Sequence, residues 1–223
     1  MGNKASEKRA FDLPPEVVFS ILPHTPYSTK FSELAEQQNR DVMLHMPMEA
    51  LSGLYMGPGG LSSNMDKAQI LESLLAAQKT VPNAIGLNNH MGSKLTQLSY
   101  PMQATMEFLS RNQMFFLDSR TTKFSKAESV AKSNGVPSMR RHVFLDHVQK
   151  TTNIQFQFAR LLRKAKRNGF AIGIAHPHEV TLDFLQKALQ ELPNDGVTLV
   201  SMSHGLQPSD QQWAWNPASQ LSR

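Results

Sequence analysis

The chain contains no cysteine. Disulfides and thiolate metal sites are therefore excluded, and any metal must be held by histidine, aspartate or glutamate. Long apolar runs are missing too. None approaches the roughly 20 residues that a membrane-spanning helix needs, and none has the pattern of a signal peptide. The phosphate-loop and dinucleotide fingerprints are absent, because Gly57-Pro58-Gly59-Gly60 neither follows a strand nor opens a helix. No Gly-x-Ser-x-Gly elbow occurs either. Aromatic residues do not interleave with basic ones as a single-strand nucleic-acid surface requires, so no nucleic-acid partner is expected.

What is present suffices for one full core: 223 residues, 40% of them apolar. The net charge of +5 is concentrated in Arg160, Arg163, Lys164, Lys166 and Arg167. These alternate with Phe158, Leu161, Leu162 and Ala165 at helical spacing, which reads as the solvated face of one helix.

Along the chain, apolar β-prone runs predict strands at 17–22, 41–44, 84–87, 115–117, 170–175 and 197–201. Helical patterns fall at 28–38, after Asn64 or Asp66, and at 102–111, 126–133, 151–167 and 182–192. The segment 137–146 reads as irregular, and Gly53 to Ser63 as a loop long enough to be functional. Six strands alternating with six helices predict a parallel α/β barrel or a doubly wound sheet. One domain over residues 1–206 and an irregular tail over 207–223 are expected.

Four of the predicted strands end in polar residues. Ala84-Ile85-Gly86-Leu87 runs into Asn88-Asn89-His90, and Val42-Met43-Leu44 into His45. Phe115-Phe116-Leu117 ends in Asp118, and Ala171-Ile172-Gly173-Ile174-Ala175 in His176-Pro177-His178. Polar side chains at the carboxyl ends of parallel strands are how α/β proteins present a site. Convergence of several of His45, Glu49, His90, Asp118, His176 and His178 would make a metal site suited to Zn²⁺ and to hydrolysis of an ester or amide. Asp118 stands beside Arg120, which would keep the acid ionised.

The motifs His45-Met46-Pro47-Met48-Glu49, Gly86 to Ser93, Phe115 to Thr121 and Ile174 to His178 resemble those of the divergent polysaccharide deacetylase family. The resemblance implies a distorted seven-stranded β/α barrel. It also implies a divalent metal, expected to be Zn²⁺, and hydrolysis of acetyl groups on a polysaccharide or glycan. His45 falls at the first metal histidine, Glu49 where ordinary deacetylases carry the second, and His90 at the place of a replacement ligand. His176 matches the histidine that protonates the leaving group, with His178 as the alternative and Asp118 as the carboxylate of the neighbouring motif. Asn88, Asn89, Arg120 and Arg141 are expected to contact substrate.

Family members begin with an apolar strand ending in Asp-Asp-x-Gly, and Met1-Gly2-Asn3 reads like the last residues of that motif. The resemblance therefore leads us to expect a first strand and two acids ahead of the chain given, and a 223-residue chain that folds poorly and is inactive. It also suggests an exported protein. Two other readings compete with the deacetylase: an idle relative that binds glycan in the same groove, and a basic module for an anionic envelope polymer.

Overall fold

The longest ladder joins two strands whose residues are all buried or half-buried. In the computed structural model, which describes residues 1–205, β2 (Val42–Met48) and β3 (Ala84–Met91) pair in parallel, with His45 opposite Asn88 and Pro47 opposite His90. On one side β1 (Phe19–Ile21) joins β2, and on the other β4 (Phe115–Asp118) and β5 (Ser138–Arg140) follow β3. All four ladders are parallel and the strands follow one another in chain order. That order has no reversal point, so the sheet is singly wound and not doubly wound.

Among the described residues there are seven strands, but they form two sheets and not one closed seven-stranded barrel. A second, separate parallel pair is formed by β6 (Val143–Phe144) and β7 (Gly173–Ile174), and among the described residues no ladder joins β7 to β1. The segment expected to be irregular, 137–146, carries both β5 and β6. Its first half bonds to β4 and its second half to β7: Arg141 N donates to Asp118 O, and Leu145 N to Ile174 O. Each half is too short, and Ser138-Met139-Arg140 too polar, to give a strand signal. The strand expected at 197–201 does not form. Val197 and Leu199 instead pack, half-buried, against the core after the left-handed turn at Gly196. The irregular-tail expectation lies outside the described residues.

Successive strand residues face opposite sides, which here divides the interior in two. Met43, Phe115 and Leu117 form an inner cluster with Val18, Ile85, Met139, Ile172, Ile174 and Met202. Phe116, Leu44, Met46 and Leu87 face the larger outer core under the helices. Gly86 is needed on the inner side, because a Cβ there would lie 2.6 Å from the Phe115 ring. The turn Met202–Gly205 closes the amino ends of the strands, with Ser203 N donating to Asp41 Oδ2 at 2.7 Å.

The helices follow their caps and stripes. After α1 (Ser28–Gln37), α2 (Lys67–Thr80) opens on a reciprocal capping box between Asp66 and Gln69 and buries Ile70, Leu74 and Ala77. The next two are α3 (Ser99–Arg111) and α4 (Ala127–Ser133). The longest, α5 (Thr151–Asn168), stops at Gly169 in the left-handed conformation, and α6 (Glu179–Ala188) follows β7. Arg40 is buried and clamps the amino-terminal segment. It donates to the carbonyls of Leu13, Pro14 and Val17 and stacks 4.3 Å over Phe19. Along the free edge of β1, Leu22 N donates to Met1 O at 2.8 Å.

Candidate active site

Parallel strands deliver their polar ends to one rim, and the inner-facing positions meet there. His45 Nδ1 lies 3.0 Å from Asn88 Oδ1, and His90 Nδ1 lies 3.2 Å from His45 Nε2. Asn88 Nδ2 donates to Ser119 Oγ at 3.2 Å, which turns its oxygen toward His45. This network assigns the proton of His45 to Nδ1 and leaves the Nε2 lone pair facing His90. Burial pushes His45 far below the ordinary histidine range, and the neighbouring His90 pushes it further. Burial also lowers His90. Both rings are therefore neutral near pH 7, the state in which imidazole binds a metal.

Across the rim, His176 follows β7. It is held by a residue the sequence reading passed over. Asp146, buried just after β6, accepts from His176 N at 2.7 Å, Thr181 Oγ1 at 3.0 Å and, at 3.2 Å, His176 Nδ1. Burial works against ionisation of this carboxyl, but these hydrogen bonds outweigh it and its pKa is lowered. With Nδ1 facing Asp146, Nε2 is the nitrogen left for other work. His176 stands near enough to the first pair for a charge on it to act on both His45 and His90. The rings of His178 and Phe144 lie 5.4 Å and 5.3 Å from that of His176. Ligand atoms of Asp146, His176 and His178 all fall within 4.8 Å of one another, a candidate metal-binding triad.

The other expected site residues go elsewhere. Glu49 turns to Lys94 Nζ, 2.5 Å away, and to Ser63 N, 2.6 Å away; these contacts lower its pKa to about 2. Its carboxylate thus fastens the Gly53–Ser63 loop. Asp118 has the parity of Phe116, not of the inner Leu117. It is fully buried, accepts from Arg120 N at 2.7 Å, and keeps Oδ2 3.8 Å from Arg120 Nη1. Asn89 also faces away, bracing the rim by accepting from Ser119 N and donating to Met91 O. Arg141 donates to the carbonyls of Ser119 and Arg120 and stacks over Phe144, beside the His176 ring. A cleft of about 160 Å³ borders His90 and Pro47, with Tyr55 on its wall, 82% exposed.

The signal that would have found Asp146 is in the sequence. Phe144-Leu145-Asp146 repeats the pattern of Phe116-Leu117-Asp118, an apolar pair running into a carboxylate. It was hidden by the shortness of β6 and by the preceding Arg140-Arg141-His142.

A singly wound parallel sheet with imidazoles and a carboxylate at its carboxyl rim defines the class: an α/β protein of the polysaccharide-deacetylase type. The match is borne out by a family model, divergent polysaccharide deacetylase, over residues 1–206, and the chain belongs to that family. It is 39% identical over 194 residues to an uncharacterized protein of Haemophilus influenzae, covering 87% of this chain and 69% of that one. To the uncharacterized protein YibQ of Escherichia coli it is 36% identical over 198 residues, covering 89% of this chain and 62% of YibQ. Among solved structures, the uncharacterized protein ATU2773 of Agrobacterium tumefaciens superposes with a TM-score of 0.86 at 23% identity, over 92% of this chain and 85% of that one. The lactam utilization protein of Thermus thermophilus shares the fold, with a TM-score of 0.62 at 12% identity, over 88% and 92%.

Proposed function

We propose that this domain hydrolyses acetyl groups on a glycan with the help of a divalent metal, Zn²⁺ by the chemistry of its donors. The observation that carries this reading is the 3.2 Å approach of His45 Nε2, from β2, and His90 Nδ1, from β3. Two nitrogens bound tetrahedrally at 2.0–2.1 Å stand roughly 3.3 Å apart, so the pair fits two corners of a zinc site once His90 shifts its proton to Nε2. Asn88 supports His45 as outer hydrogen-bond partners of metal-binding histidines do. A bound ion would supply Lewis acidity toward the acyl oxygen and toward water.

The remaining chemistry belongs to the chain itself. Deacetylation joins a water oxygen to the acyl carbon and breaks the carbon–nitrogen or carbon–oxygen bond to the sugar, whose leaving atom needs a proton. His176 delivers it from Nε2, having taken it from the attacking water, while the Asp146 carboxylate fixes the ring through Nδ1. Tyr55, exposed on the cleft wall, offers a ring face to a sugar.

A second reading puts the metal on Asp146, His176 and His178, favoured by their mutual approach. Against it, both Asp146 oxygens already accept hydrogen bonds. Acetate release from an acetylated oligosaccharide tests the proposal: it should require a divalent ion and fall by roughly 10²–10⁴-fold in His176→Ala with metal binding intact. Glycan binding without acetate release would replace the hydrolase by a glycan-binding relative.

A further inference from the structure

The charge that gives this protein its net excess lies on one helix and has no use at the site. α5 carries Arg160, Arg163, Lys164, Lys166 and Arg167 and not one acidic residue. None of the five takes part in an ion pair among the described residues. Among the described residues their side chains make two polar contacts, both within the helix, with Gln157 and Asn168. Phe156, Arg160, Arg163 and Arg167 recur at spacings of four, three and four, which aligns them in one stripe on the helix. The opposite face, with Ile154 and Phe158, is buried in the core. Phe156 is 62% exposed, and Phe170, just past the Gly169 cap, is 55% exposed.

We propose that this stripe seats the protein on an anionic phospholipid surface. Arginine and lysine side chains can lie among the headgroups while phenylalanines at the two ends of the run enter the acyl boundary. A soluble polyanion would reward the cations but not the exposed rings, so the combination favours a bilayer. Among the described residues no helix is long and apolar enough to cross a membrane. α5 packs on β6 and α6, and the proposed contact uses its opposite, exposed face.

Co-sedimentation of the full chain with vesicles of phosphatidylcholine containing about a third phosphatidylglycerol tests this. Binding is expected at low salt, with loss on adding salt and none to pure phosphatidylcholine. Each cation contributes about fivefold, so replacing Arg160, Arg163 and Arg167 together by Gln should weaken partition on the order of a hundredfold. The corresponding Lys triple variant should keep it, which separates charge from folding. Phe156→Ala should weaken it by about tenfold. Equal binding to pure phosphatidylcholine would overturn the proposal. So would a Phe156→Ala variant that binds normally while polyphosphate competes the protein away, because the surface would then serve a soluble polyanion.

Discussion

Replacing Asp146 by Asn probes the pair that orients the proposed acid. The native carboxylate is buried and takes three hydrogen bonds, from His176 N, His176 Nδ1 and Thr181 Oγ1. An amide of the same shape can accept on one atom only, so at least one of these donors must face an NH₂ group. A hydrogen bond to a charged group contributes about 1.5–3 kcal/mol, and an opposed donor costs more than a lost bond. We expect a loss of about 2–4 kcal/mol, or a Tm lower by roughly 5–15 °C for a domain of this size. The pH dependence supplies an internal check. The folded-state pKa of Asp146 lies below its ordinary value of 3.8. The carboxylate therefore stabilises the fold fully above about pH 4. That contribution is lost as pH falls through the folded value, because the unfolded chain takes up its proton first. The difference between native and Asn proteins should thus be constant from pH 8 to about pH 5 and shrink below about pH 4. Acetate release should fall by roughly 10²–10⁴-fold, since an amide facing Nδ1 imposes the wrong tautomer. Metal binding should be unchanged. Circular-dichroism melts across that pH range and a parallel acetate assay measure both effects. An Asn variant with native Tm and native turnover would refute the role given to Asp146.

Two further outcomes follow from the same geometry. Glu49→Gln should leave metal binding intact and cost only about 1 kcal/mol. The shift of Glu49 from 4.5 to about 2 corresponds to roughly 3 kcal/mol, which solvent screening at this partly exposed pair cuts down. That small contribution is present above about pH 4.5 and is lost as pH falls toward 2, which acid titration of the melting temperature reads. Arg40→Lys should destabilise by about 2–4 kcal/mol in urea unfolding, because one ammonium cannot reach the Leu13, Pro14 and Val17 carbonyls and also stack on Phe19. A Lys variant of native stability would show that the clamp is dispensable.

How far the sequence revealed the site depended on the length of the strand behind each residue. β2, β3 and β4 are each four to eight residues long and mostly apolar, so His45 in the middle of β2 and His90 and Asp118 near the ends of β3 and β4 stood out. β6 and β7 are two residues each, and Asp146 stayed hidden although His176 did not. Side-chain parity was less legible than position. Asp118 ends β4 and Asn89 lies two residues before the end of β3, yet both face the outer layer. A bulge at Val42/Met43 shifts the β2–β3 register, which no local signal announces. The family resemblance placed Glu49 among the metal ligands, but Lys94 and the Ser63 backbone claim the glutamate. That partner is set by tertiary packing, 45 residues away in the chain.

The direct test of the proposed centre is a titration of the purified chain with Zn²⁺ or Co²⁺, read by calorimetry and by the cobalt d–d spectrum. One ion per chain is expected, lost when His45 and His90 are both changed to Ala and retained in Glu49→Gln and His178→Ala. Retention in the His45/His90 double variant with loss in His178→Ala would move the metal to the Asp146–His176–His178 triad and contradict the centre proposed for His45 and His90.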